Sequence, residues 1–334
     1  MLKIGLLPLY TILRPSSRYR AYQFINPLGN QGIKCQVVEA PERNFGKRLR
    51  YLPQLFRLAR TQDVLFVQKR TFPAWVLKPL IKINSHLVFD FDDAIFLDPG
   101  QQAAVISILR VAKVVVAGND YLADFARQYN SQVEIIPSVI DTDLYYPPTG
   151  PRHPGDNRLI LGWIGSDPNF GSLEMLIPVL NRLYDRYQDR VILRVISGKP
   201  WRVEMKMRHE AIQWTHHQSR VDLQQFDIGL MPLEDTEWNR GKCGFKLIQY
   251  MAVGIPGVAS PVGVNRTIVQ DGKSGYLTTT ISEWGDRLVE LIERPELRYQ
   301  MGRSARSEVE GSFSVKSVLP HLIHVLRQGA SNGL

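Results

Sequence analysis

The residues best suited to chemistry fall in one stretch, Gly241-Lys242-Cys243-Gly244-Phe245-Lys246, continuing through Gln249-Tyr250-Met251-Ala252-Val253-Gly254-Ile255-Pro256. A glycine-containing loop there opens a helix that stops at Gly254. The first-turn amides of a helix lack intrahelical acceptors and point outward, which suits a diphosphate. Lys242 and Lys246 add positive charge beside Gly244 and Phe245. Gln249, about one turn further on, offers an amide for a ribose hydroxyl. The same pattern also fits a helix packed on a sheet with solvated lysines. Cys243 reads as a small packed residue, because no histidine stands near it in sequence to activate a thiolate.

Two further groups carry polar chemistry. Arg14-Pro15-Ser16-Ser17-Arg18-Tyr19-Arg20 follows an apolar run. A serine there can cap the next helix, and the arginines sit where an anion approaches its N-terminus. Ser17, Arg18 and Arg20 are therefore candidate contacts to an acceptor phosphate or a diphosphate, and a capped helix with surface arginines is the plainer alternative. Phe89-Asp90-Phe91-Asp92-Asp93 ends another run with three carboxylates. Strand alternation puts Asp90 and Asp92 on one face. Asp92 and Asp93 are candidates to orient a hydroxyl, with a structural turn as the alternative. His216-His217 has no third ligand at zinc-like spacing. No Walker loop and no GxGxxG is present, so ordinary NTPase and dinucleotide readings lack their fingerprints.

The elements that must position these groups alternate. Short, nearly continuous apolar runs at Lys3–Leu9, Lys34–Val38, Val64–Val67, Leu87–Phe91, Val114–Val116 and Val133–Ile136 read as parallel strands covered on both faces. Helical stretches such as Ser17–Gly29 and Asp120–Tyr129 fall between them. The segment Pro147–Gly155 has four prolines and two glycines in nine residues and reads as a linker. A second alternation follows, with strands at Leu159–Ile164, Val191–Ile196, Asp227–Met231, Val258–Ser260 and Tyr276–Thr278. Its helices fall near Leu173–Tyr187, Phe245–Val253 and Ile281–Glu293. The expected fold class is α/β, with two doubly wound Rossmann-like domains facing across a cleft. Their spans are 1–152 and 153–313, with 314–334 a final helix crossing back onto the first domain.

The Gly241–Ser260 stretch resembles the donor-binding signature of the family-4, retaining glycosyltransferases of GT-B fold. Pro261–Val269, Asp271–Leu277 and Ile136–Pro147 extend the similarity in order along the chain. The resemblance implies transfer of a sugar from a nucleotide-diphosphate donor, held by Gly165, Ser166, Lys242, Gly244, Phe245, Lys246 and Gln249. It implies no cofactor and no metal. The departures are specific. The two signature glutamates fall on Gly241 and Gln249, so Glu237 in the preceding loop is a candidate substitute carboxylate. The family's Arg and Lys after the first strand of the second domain are replaced by Gly165-Ser166-Asp167-Pro168-Asn169. Asp92 stands where the family often has histidine. The resemblance is thus to a variant branch of the family rather than to a mainstream member.

Composition bounds the partners. The 334 residues are 44% hydrophobic and 22% charged, as in a globular protein with a sizeable core. Residues 1–100 hold 15 basic and 7 acidic residues, net +8, of the chain's total of +9. Such a half attracts phosphates, and with the resemblance it suggests a saccharide or lipid-linked acceptor in envelope polysaccharide or glycolipid synthesis. Gly46–Arg60 and Pro73–Asn84 carry basic amphipathic patterns that fit an anionic membrane surface or ordinary packing on a sheet, although Pro53 and Pro79 weaken the helices. No run nears the roughly 18 apolar residues of a membrane span, and the start lacks a signal-peptide layout. Two cysteines give no disulfide framework. The expected location is the cytoplasm, at the inner face of the membrane if the acceptor is a lipid. A nucleotide-sugar epimerase of the same fold and a degenerate, donor-binding scaffold are the alternatives. Nucleic acid is not an expected partner, since the basic residues are not interleaved with an aromatic platform.

Overall fold

The computed structural model describes residues 1–39, 45–150, 152–153, 158–216 and 218–331, with side chains of 45–50 outside the description. Parts of the proline-rich linker, His217 and the basic side chains Lys47, Arg48 and Arg50 therefore lie outside the described residues. The chain divides into two compact units. One comprises Met1–Val139, Gly241–Cys243 and Val315–Leu334; the other comprises Ile140–Arg240 and Gly244–Ser314.

The first unit holds six parallel strands, β1 (Lys3–Pro8), β2 (Lys34–Val37), β3 (Val64–Gln68), β4 (Leu87–Phe91), β5 (Val114–Ala117) and β6 (Val133–Ile135), in the order β2-β1-β3-β4-β5-β6. Alternation along each strand sorts side chains to two cores. Leu65, Val67, Phe89 and Val115 join Leu55, Leu77 and Ile108 from helices on one face. Ile4, Phe66, Val88 and Val116 join Leu28 and the final helix, Val315–Ala330, on the other. Gly5 sits on the first of these faces, where a side chain would collide with Leu58.

The helices Phe45–Thr61 and Ala74–Ile83 run through Pro53 and Pro79 without a break. Their described apolar stripes, including Leu55, Leu77 and Leu80, pack into the core, while Trp75 remains 66% exposed. Among the described residues no helix is long and apolar enough to cross a membrane.

The second unit holds β7 (Leu159–Gly165), β8 (Val191–Ser197), β9 (His209–Gln213), β10 (Ile228–Met231), β11 (Gly257–Ala259) and β12 (Gly275–Leu277), again all parallel, in the order β12-β11-β10-β7-β8-β9. β9 has no counterpart in the sequence reading. Its His209-Glu210-Ala211-Ile212-Gln213 is an edge strand with no fully buried residue, so it lacks the apolar run that marks the others. The segment from Ile140 belongs to this unit and not to the first. Ile140 bridges to Ser314, and Arg306 donates to the carbonyls of Thr142 and Tyr145.

Glycines in these strands are slots for aromatic rings. A side chain at Gly162 would run into Phe226, and one at Gly229 into Tyr250. Tyr250 is fully buried; its hydroxyl donates to the Leu230 carbonyl and accepts from Ile164 N–H. This anchors the helix Phe245–Ala252 over β10, and Leu247 docks it over Gly257 of β11.

Candidate functional site

In the second unit, helix Phe245–Ala252 begins at Gly244, whose φ of 60° is left-handed and whose missing Cβ leaves room for Ile268. Any other residue there meets both backbone strain and a clash. At the far end Gly254 (φ 69°) closes a Schellman turn: Ile255 N–H donates to Tyr250 O, and Gly254 N–H donates to Met251 O. Arg152 and Arg306 donate to the terminal carbonyls of Val253, Gly254 and Ala252. The helix is thus held at both ends and by Tyr250 in its middle.

Several donor-site candidates converge on its N-terminal end. Gly165, closing β7, lies against Lys246: a Cβ on Gly165 would stand 2.8 Å from Lys246 Cε. Lys246 Nζ sits 4.9 Å from the centroid of Trp163, which lies under Gly165. Ser166 is exposed; its Oγ accepts from Asn169, while Asp167 pairs with Lys199. Gln249 is only 6% exposed, and its amide makes no hydrogen bond among the described residues. Asn265, missed in the sequence, donates to Ser260 O while its Oδ1 stays buried without a partner near Gly244. Glu237 is exposed at the start of a one-turn helix, Glu237–Arg240.

Gly241, Lys242 and Cys243 belong to the first unit. Asn119 caps the helix Asp120–Arg127 and donates to the carbonyls of Gly241 and Lys242, both at 3.1 Å. The Cys243 thiol donates to Asp92 O at 3.2 Å and fills the space that a side chain on Gly118 would need. Burial, and then the negative charge of Asp92, push this thiol far up, so it is no nucleophile. A Cβ on Gly241 would stand 2.6 Å from Ala94 Cβ and 3.1 Å from its backbone nitrogen. There is thus no space for a larger side chain at Gly241. Gly241→Ala is expected to cost about 1–3 kcal/mol by overpacking, measurable by urea unfolding, with Ala94→Gly restoring part of it. An unchanged midpoint would show that the contact relaxes freely.

The first unit also gathers a polar cluster at the carboxyl ends of β1, β3 and β4, where doubly wound sheets place ligands. Ser16 Oγ donates to Asp92 and accepts from Gln68 Nε2; Ser17 Oγ donates to Gln68 Oε1 at 2.8 Å. Lys69 pairs with both Asp92 (3.2 Å) and Asp93. Its φ of 56° is left-handed, an uncommon and strained state for a lysine. Burial works to raise the Asp92 carboxyl, but Lys69, Arg20 and the Ser16 hydroxyl outweigh it and hold it low. Asp93 goes the other way: burial and the Asp92 charge raise it against Lys69 and Lys242. Two adjacent carboxylates are therefore pushed apart in acidity, and Asp93, with 32% side-chain exposure against 12%, is the accessible one.

The two arginine candidates face inward. Arg18 donates to the carbonyls of Ile12 and Leu13, both at 2.8 Å, and so shapes the loop after β1. Arg20 is buried, grips Asp90 with two nitrogens and donates to Ile136 O at 2.7 Å. Gln68 and Lys69 were missed because a polar pair after a strand is ordinary in sequence; the left-handed turn at Lys69 is what marks them.

A family model described as glycosyl transferases group 1 matches residues 158–294. The matched stretch is less than half of the chain and falls largely in the second unit. The chain is also 30% identical over 78 residues to spore coat protein SA of Bacillus subtilis (strain 168), a match spanning 22% of this chain and 21% of that protein. Among solved structures, sucrose-phosphate synthase from Thermosynechococcus elongatus is similar at 14% identity and TM-score 0.74, over 98% of this chain and 99% of that one. HepE of Anabaena, solved with UDP-glucose, is similar at 14% identity and TM-score 0.72, over 98% and 100%. At these identities the likeness establishes the fold, which is GT-B with two parallel six-stranded Rossmann-like sheets.

Proposed function

We propose that the protein transfers a sugar, with retention, from a nucleotide-diphosphate donor to a saccharide or lipid-linked acceptor. The observation that carries this reading is the left-handed Gly244 opening a rigidly anchored helix, with Lys246 and Gly165 beside it, inside the stretch that the group 1 family model matches. In this reading the helix start and Lys246 stabilise the leaving diphosphate, with Lys242 adding charge and no metal required. Phe245 and Ser166 border it, and buried Gln249 holds the ribose. HepE, solved with UDP-glucose, makes UDP-sugars the first donors to try. Asp93, its pKa raised beside a low Asp92, orients the acceptor hydroxyl. Glu237 is the nearest replacement in sequence for the absent glutamate at Gly241. An envelope glycan or glycolipid made at the inner face of the membrane fits the basic first unit.

Incubation with UDP- and GDP-sugars is expected to show donor binding and slow hydrolysis, both lost in Lys246→Ala. No binding or hydrolysis of any donor would sink the proposal. The absent space at Gly241 favours one second reading, a degenerate homologue that binds donor without turnover. Calorimetric donor binding with no transfer across a broad acceptor panel would select it.

A further inference from the structure

One face of the first sheet is covered by the helices Phe45–Thr61, Ala74–Ile83 and Pro99–Val111, packed side by side with the second in the middle. Together they hold eight lysines and arginines and no aspartate or glutamate. Their apolar stripes, with Leu58, Leu80 and Ile108, are committed to the core beneath, so no helix has an apolar side left to lay into a bilayer. The charge that faces water is all positive. Arg57, Arg60, Lys78, Lys82 and Arg110 are exposed and form no ion pair among the described residues. Trp75, Lys78 and Lys82, at i, i+3 and i+7, share one outward line of the middle helix, and Trp75 is 66% exposed. The acids just outside these helices are engaged at their ends: Asp63 accepts from Lys3 N–H, and Asp98 from Gly100 N–H and the Gln101 amide. The next helix of the layer, Asp120–Arg127, carries Asp120 and Asp124 and bounds the patch. Like charges gathered without counter-charges repel one another, and a surface of opposite sign relieves them.

We propose that this three-helix face is a docking surface for anionic lipid, with Trp75 as its interfacial anchor. Each lysine or arginine held at the headgroups is drawn by their negative surface potential. A tryptophan ring is amphipathic and settles at headgroup depth. One projecting ring among cations fits a headgroup layer better than a nucleic-acid strand, whose successive bases need several rings to stack on. Because the apolar stripes stay in the core, the protein adsorbs without inserting a helix, and added salt weakens the contact. The proposal refines the membrane-side setting given to the reaction above; the docking itself does not rest on sugar transfer.

The test uses the full chain in a flotation assay with phosphatidylcholine vesicles, with and without phosphatidylglycerol. Binding is expected only where phosphatidylglycerol is present. Arg57→Gln with Arg60→Gln, and Lys78→Gln with Lys82→Gln, should each weaken it about 25-fold, or about five-fold per charge. Lys273→Gln with Arg303→Gln removes the same charge from two exposed cations of the second unit and should change binding less than about two-fold. Trp75→Ala should weaken it about 10-fold. Quenching of the parent's fluorescence by brominated phosphatidylcholine mixed into the vesicles should be largely lost in Trp75→Phe. All the substituted side chains are exposed, and an unchanged melting midpoint checks that each variant is folded. No binding to phosphatidylglycerol vesicles, or an equal loss in the second-unit control, overturns the proposal. So does binding to duplex DNA or RNA that depends on Arg57 and Arg60 when vesicle binding does not. Donor hydrolysis without vesicles should match the parent in every variant of this face. Its absence from the parent, with vesicle binding intact, would overturn the transfer reaction and leave the docking standing.

Discussion

Arg20→Met is expected to destabilise the first unit by about 3–5 kcal/mol, the usual cost of removing one partner from a buried ion pair. Asp90 is 1% exposed, and in the parent its carboxyl is already raised to about 6 because burial outweighs Arg20. Without Arg20 that carboxyl loses both its charge partner and its hydrogen bonds, and its folded-state value rises further. The sign of the pH dependence follows. A raised carboxyl makes the native state bind more protons than the unfolded chain, so stability falls as pH climbs from the unfolded carboxylate range through the folded value. The deficit of the variant against the parent should therefore be small near pH 4 and largest above neutrality. Urea unfolding across that range measures it. A deficit independent of pH would mean that Arg20 acts through packing alone. Arg20→Met with Asp90→Leu removes both charges and should recover much of the loss, because two apolar side chains in one slot leave no unpaired charge; the Ile136 carbonyl alone loses its donor.

The arginine also shows what the sequence could and could not tell. Basic residues after a first strand suggest an anion site, and nothing in residues 14–20 says which of them turn inward. Arg20 turns inward because Asp90 sits on the same sheet face as Val88, a pairing 70 residues away in sequence. The strands themselves were legible wherever both faces are covered, since Val64–Gln68 or Val114–Ala117 can hardly be anything else. β9 was not, because an edge strand can afford Glu210 and Gln213. The helix Phe245–Ala252 was legible from Gly244, Gly254 and Pro256, whose backbone demands are local. Its anchoring by Tyr250 over Gly229 is a contact between distant residues, and so is the seating of Gly241 on Ala94. Structure set by local backbone could be read; contacts set by convergence could not.

Lys69 is the sharpest case of convergence, and its replacement carries the largest expected effect on activity. Lys69→Met leaves Asp92 and Asp93 adjacent and mostly buried with their shared cation gone. Like charges so placed cannot both stay ionised, so one carboxyl is driven toward neutrality. Asp93 is the one to protonate, since burial and Asp92 already raise it in the parent. If it orients the acceptor hydroxyl, transfer at pH 7 should fall about 100-fold, within the range attributed to a positioned acid–base group. The acid limb of the pH–rate profile should also move to higher pH, with partial recovery in alkali. Donor binding, which involves other residues, should hardly change. A structural role alone would lower the amount of folded protein without moving the limb, so an unshifted limb sinks this assignment. Lys69→Gly sharpens the test further. Glycine adopts the φ of 56° without strain, so it should be about 1 kcal/mol more stable than the methionine variant. Its profile should nonetheless shift as far, because the profile follows the ammonium and the stability follows the backbone.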